Sequence, residues 1–215
     1  MLATGGVSPC PAVADHVRLA GVDANVGRSR VPVWLLGVDG VINVSKPGWV
    51  GPPSQGMAYY GEDAYQMRWS PRLVSELRRL HSEGTVEFRW ATTWADHVDQ
   101  IEALLRLPRF SRAFSGLDLD PNAKAPGLKV EAALHVIEEE GRPLIWTDDD
   151  AIPFAGPLAR RLRGHGVPLL LVTPDPRRGL RPAHLRTVAE FLADPWSWGE
   201  RDPVNRRPVA SASDT

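Results

Sequence analysis

The sequence predicts an α/β fold: a doubly wound parallel sheet with a short flap after its first strand and no large cap domain. Three observations carry this expectation. Short apolar runs alternate with segments whose apolar residues recur at helical spacing. The segments between runs are long enough for parallel crossovers. The runs themselves are nearly continuous rather than alternating, as in strands covered on both faces.

Residues 1–30 are rich in Gly, Ala, Val and Pro and predict a loose N-terminal arm. The domain is expected over 31–194, followed by a disordered tail over 195–215 whose start Trp196 and Trp198 would pin to the body. Val33-Trp34-Leu35-Leu36 is the first strand. The stretch from Asn43 to Trp69 breaks the strand–helix rhythm with Pro47, Gly48, Pro52 and Pro53, and predicts an irregular flap containing a hairpin. Ser70-Pro71 opens a helix as N-cap and first residue, with Leu73, Leu77 and Leu80 as its stripe and Gly84 as its stop. Val86 to Ala91 is the second strand, and Val98, Ile101, Leu104 and Leu105 mark the next helix. Val130, Leu134 and Ile137 mark another before the third strand, Pro143 to Trp146. Leu158 and Leu162 belong to a short helix ended by Gly164 and Gly166. Val167 to Val172 is the fourth strand, and Leu185, Val188 and Leu192 face the sheet from the last helix.

With 215 residues the chain has the length of one full domain. A net charge of −1 argues against a globally basic nucleic-acid or membrane binder. Cys10 is the only cysteine, which excludes an internal disulfide and any zinc knuckle. No apolar run reaches the roughly 18 residues of a membrane span, so the expected location is cytoplasmic. The six histidines are scattered singly and none is assigned to a metal or to catalysis.

In open parallel sheets ligands bind beyond the carboxyl ends of the strands. Those ends are polar here: Gly37-Val38-Asp39-Gly40, Thr92-Thr93, and Thr147-Asp148-Asp149-Asp150. Adjacent carboxylates repel unless a cation or hydrogen bonds offset them. Oxygen donors of this kind suit Mg²⁺, which binds through one or two carboxylates together with a phosphate. Taken singly, each group is explained by turn or helix-cap chemistry; taken together, they suggest a site.

Leu36-Gly37-Val38-Asp39-Gly40-Val41-Ile42-Asn43 resembles the first motif of the haloacid-dehalogenase-like (HAD) phosphohydrolases, and Trp90-Ala91-Thr92-Thr93-Trp94 resembles the second. Lys129 suits the third-motif lysine, with Lys124 as a rival, and Ile145-Trp146-Thr147-Asp148-Asp149 resembles the fourth. The similarity spans about residues 31–193. It is greatest to the small HAD domains associated with bacterial RNA-repair ("Swiss Army Knife") proteins, through Trp-Ala-Thr-Thr-Trp, Arg-Pro-Leu and the late Asp175-Pro176-Arg177-Arg178-Gly179-Leu180.

The resemblance implies a Mg²⁺-dependent phosphate site. Asp39 would be the acid/base and, through its backbone carbonyl, would also face the metal, which Asp148 and Asp149 would hold directly or through water. Thr92, or its neighbour Thr93, and Lys129 would hold the phosphoryl oxygens. The nucleophile does not carry over, because its position is Gly37. Val38 is no substitute, since strand side chains alternate and it should point away. Losing a nucleophile from a cooperative site costs about 10⁴–10⁶ in rate. The leading expectation is therefore a phosphohydrolase scaffold with activity lost or strongly attenuated. One alternative is an active phosphatase using water activated by Asp39, and another is a non-catalytic phosphate- or nucleotide-binding or structural module. The small cap implies an open site, so the expected partner is a phosphate-bearing ligand such as a nucleic-acid end, with no membrane.

The flap aromatics Trp49, Tyr59, Tyr60 and Trp69 are expected to pack the flap on the sheet, with stacking on bases as the alternative. Trp34, Trp90 and Trp146 are expected in the core, and Trp94 at the site entrance. Arg160, Arg161, Arg163 and the pair Arg177-Arg178 read as solvated surface, with polyanion contact as the alternative.

Overall fold

The computed structural model describes residues 31–115 and 125–198. The expected N-terminal arm, most of the expected tail and Lys124 lie outside the described residues. Five parallel strands form one sheet in the order β5-β4-β1-β6-β7, with β1 Val33–Leu36, β4 Glu87–Trp90, β5 Ser111–Arg112, β6 Leu144–Thr147 and β7 Leu169–Val172. Helices α1 Pro71–Ser82, α2 Val98–Leu105, α3 Ala125–His135, α4 Gly156–Arg163 and α5 Pro182–Ala193 flank it.

Every residue of β1 is buried, because the pleat feeds two cores. Trp34 and Leu36 join a cluster with Leu73, Leu77, Ile101 and Val188 of α1, α2 and α5. Val33 and Leu35 join a second with Val130, Ala133 and Leu162 of α3 and α4. Trp34, Trp90 and Trp146 are fully buried, as expected. The Trp34 indole donates to Thr147 Oγ1 at 3.0 Å, and the Trp90 indole donates to the buried Glu102 carboxylate at 2.9 Å. These two polar tips are thereby satisfied, whereas the Trp146 indole N–H is buried with no partner among the described residues.

The predicted caps hold at α1, where Ser70 Oγ accepts from Leu73 N. Leu158 and Leu162 lie on α4 as expected; Ala159 with Leu162 form its buried face, and Leu158 is 45% exposed. The fifth strand, two residues long, carried no periodic signal in the sequence. Pro195–Ser197 forms a 3₁₀ turn, and Trp198 packs edge-on against Phe191 at 5.6 Å. The folded chain therefore runs past residue 194, while Trp196 stays exposed. No helix among the described residues is long and apolar enough to cross a membrane.

The flap is a regular antiparallel hairpin, β2 Ser54–Tyr60 and β3 Asp63–Trp69. Its inner face carries Ala58 and Met67 into the first core. At Gly56 a side chain would run into Leu104, the nearest atom lying 2.6 Å from where a Cβ would stand, so the missing Cβ lets the hairpin close on α2. Trp69 is buried and the Trp49 indole donates to Leu180 O at 2.7 Å, so these two serve packing. Tyr59 and Tyr60 keep exposed rings, although Tyr60 also rests edge-on against Trp94 and His97.

Away from the carboxyl ends, Glu87, Arg89, Glu140 and Arg142 form a partly buried ionic cluster, with Arg89 bidentate to Glu140 and Arg142 reaching Glu87 at 2.6 Å. Burial alone would raise the pKa of Glu87 and Glu140, but the hydrogen bonds and charges of the two arginines outweigh it and hold both below the ordinary glutamate value.

The string Asp175 to Leu180 is a docking turn. Asp175 O accepts from Gly179 N at 2.8 Å, and Leu180 N donates to Val41 O at 2.9 Å. Gly179 lies in the left-handed region (φ +64°), and a Cβ there would collide with the Val41 carbonyl. Gly179→Ala is expected to lower stability by roughly 2–4 kcal/mol, combining left-handed strain with overpacking. Urea unfolding checks this, and an unchanged midpoint would show the turn to be dispensable.

Candidate functional site

The register aligns the chemistry-bearing strand ends on one edge. Leu36 stands beside Trp90 on one side and Thr147 on the other, so Gly37 to Asp39, Thr92-Thr93 and Asp148-Asp149 all leave the sheet together. Strand β1 is central, and its loop lies between the other two.

Asp148 is 1% exposed and is held from two sides. Its Oδ1 accepts from the backbone N–H groups of Ala151 at 2.9 Å and Asp150 at 3.3 Å. Its Oδ2 meets Lys129 Nζ at 2.8 Å, with the lysine side chain only 12% exposed. Lys129 stands in the second turn of α3 rather than at its start, and the helix aims its ammonium at the strand end. It also lies 3.9 Å from Asp150. Gly37 borders the same pair: a Cβ at this position would stand 3.3 Å from Asp148 Oδ2. Val38 points away into the core, as expected.

Asp149 packs on Gly40. That glycine has φ +68°, and any Cβ on it would collide with the Asp149 carboxylate. Closeness to a neighbouring carboxylate, together with the turn, accounts for Asp39-Gly40. Burial, then the charges of Asp150 and Asp148, push the Asp149 pKa up. Asp150 is raised first by its contact with the Asp148 carboxyl and then by burial.

Asp39 faces a different neighbourhood. Its Oδ1 accepts from Asn43 Nδ2 at 2.7 Å and its Oδ2 accepts from the Trp94 indole at 2.9 Å. The loop that presents it is tight, with Ile42 N and Asn43 N both donating to Val38 O. Thr92 is buried and its hydroxyl accepts from Trp94 N at 3.3 Å, whereas Thr93 is exposed. Asp39, Thr93 and Trp94 line a cleft of about 480 Å³ closed on its far side by Tyr60 and Tyr65 of the hairpin. Trp94, expected at a site entrance, is buried and lines this cleft.

The carboxylates that come together are Asp148, Asp149 and Asp150, each with an oxygen within 4.8 Å of the others. The expected set was Asp39, Asp148 and Asp149, so the structure adds Asp150 and leaves the Asp39 carboxylate out of the group. Asn43 and Trp94 each donate to one oxygen of that carboxylate, which leaves each oxygen a second lone pair. The three carboxylates could hold a hard cation, since their oxygens crowd together and a cation would lower the raised pKa values of Asp149 and Asp150. The Asn43 and Trp94 contacts to Asp39 were missed in the sequence, although Asn43 sits four residues on, where a turn brings it back.

The chain matches no protein-family model, no curated protein and no solved structure.

Proposed function

We propose that this chain is a HAD-like, doubly wound phosphohydrolase scaffold. Its carboxyl edge takes a phosphate group with Mg²⁺, and its ester hydrolysis is lost or strongly attenuated. The observation that carries the reading is Gly37 against the buried Lys129–Asp148 pair. The position where the resembling family has its attacking carboxylate borders Asp148 Oδ2, the oxygen that Lys129 contacts at 2.8 Å, but has no side chain of its own.

In this reading Lys129 and the Thr92-Thr93 segment hold phosphoryl oxygens, and Asp39 exchanges a proton with the leaving group or with water. Asn43 and Trp94 donate to both Asp39 oxygens, which keeps the carboxylate oriented toward the cleft. Asp148, Asp149 and Asp150 are the residues that would hold Mg²⁺. The ion would offset charge between the phosphate and the carboxylates. A cytoplasmic location belongs to the same proposal.

Titration calorimetry with inorganic phosphate, with and without Mg²⁺, tests the site. Tighter phosphate binding with Mg²⁺ is expected, together with release from an aryl phosphate far below the ordinary range of about 1–10³ s⁻¹. Turnover within that range, abolished by Asp39→Asn, would replace the attenuated reading with an active phosphatase using Asp39-activated water. Failure of both phosphate and Mg²⁺ to bind would leave a structural module.

A further inference from the structure

The cleft over Asp39 continues into a second hollow that the phosphate reading does not use. Tyr60 and Tyr65 leave the same face of the hairpin that buries Ala58 and Met67, further toward the tip. They are 41% and 46% exposed. Their rings are braced edge-on against Trp94, at 5.9 and 5.4 Å, and Tyr60 also against His97 at 4.5 Å. They are therefore exposed yet fixed, so a ligand ring would meet them at low cost in side-chain entropy.

The second hollow, about 450 Å³, shares Asn43 and Gln66 with the first and is walled by Ser45, Arg68 and Pro176. Backbone pairing of the two loops around it, Lys46 N to Arg177 O at 2.8 Å and Gly48 N to Arg178 O at 2.9 Å, gathers basic residues far apart in sequence. Lys46, Arg177, Arg178 and Arg181 are exposed, Arg68 is half-buried, and none forms an ion pair among the described residues. At a net charge of −1 such a concentration is local. Aromatic platforms beside a positively charged track are what a single strand uses: bases stack and phosphates follow the charge.

We infer that this continuous surface binds a single-stranded nucleic acid, with a base at Tyr60 and Tyr65 and the backbone along Lys46, Arg68, Arg177 and Arg178. The orientation, with a terminal phosphate toward Lys129, rests on the proposed phosphate site; the stacking and the charged track do not.

Fluorescence anisotropy with a labelled single strand of about 10 nucleotides carrying a terminal phosphate tests this across a salt series. An abasic strand of equal length is expected to bind about 5- to 150-fold more weakly per stacked base. Tyr60→Leu with Tyr65→Leu should erase that difference, while Tyr→Phe at both positions preserves it. Arg177→Gln with Arg178→Gln should flatten the plot of log affinity against log salt by about 0.7 for each phosphate that the arginines no longer neutralise. Equal binding of natural and abasic strands overturns the inference. So does a mononucleotide as tight as the strand, or an unchanged salt slope in the arginine variant. If inorganic phosphate binds and the strand gains nothing over it, the strand surface fails and the phosphate site stands. If removal of the terminal phosphate changes nothing while the base and salt effects hold, the phosphate site fails and the strand surface stands.

Discussion

Gly37→Asp is expected to raise Mg²⁺-dependent phosphate release by about 10⁴-fold or more, the reciprocal of what loss of a nucleophile costs in a cooperative site. The backbone permits the change, since Gly37 is not among the residues with positive φ. A Cβ would meet Val41 Cγ2 at 3.0 Å, so the valine must yield by a few tenths of an ångström. The new carboxylate would enter beside Asp148 Oδ2, within the field of the Lys129 ammonium, which offsets the added negative charge. Gly37→Asn is the control, because it fills the same space with no attacking oxygen of comparable strength. Release of phosphate from an aryl phosphate and from a 3′-phosphorylated oligonucleotide measures both variants. Equal rates for Asp and Asn at position 37 would mean that the gap there is not what limits the chemistry.

Lys129→Met is expected to destabilise the fold by about 3–5 kcal/mol, the usual result of removing one partner from a buried ion pair. Asp148 is almost wholly inaccessible, and Lys129 is the one cation that reaches its Oδ2 among the described residues. Methionine keeps most of the stem that α3 packs, so the loss isolates the charge. Adding Asp148→Asn should recover much of the loss, because an amide oxygen can still accept from Ala151 N and no charge is left behind. Urea unfolding of the two single variants and the double variant gives the coupling. Additive losses would show that the pair contributes little and that Asp148 relies on its backbone donors.

The strands around the site were legible because each is a short, almost continuous apolar run ended by Gly, Thr or Asp. Burial on both faces leaves little alternative composition for Val33–Leu36 or Leu144–Thr147. The helices α1 and α5 were legible for the related reason that one stripe meets the core. The exposure of Leu158 on α4 was not legible, because an apolar residue at helical spacing says nothing of which face the neighbouring elements cover. Strand β5 was not legible at all: two exposed residues, Ser111 and Arg112, have no pattern, and pairing with β4 alone makes them a strand.

The same division holds at the site. Alternation of strand and helix, and the placing of Asp39, Thr92, Asp148 and Asp149 just past apolar runs, follow from local chemistry that the chain carries in its order of residues. So does the absence of a side chain at Gly37. Which carboxylate meets which cation does not. Lys129 and Asp148, Trp94 and Asp39, and the Lys46 and Arg177 loops join residues from separate elements. Only the sheet register and helix packing bring them within hydrogen-bonding reach. The flap aromatics show the limit best. Trp69 and Tyr60 are both simply flap aromatics in the sequence, yet the hairpin buries the one in the first core and leaves the other exposed beside the cleft over Asp39.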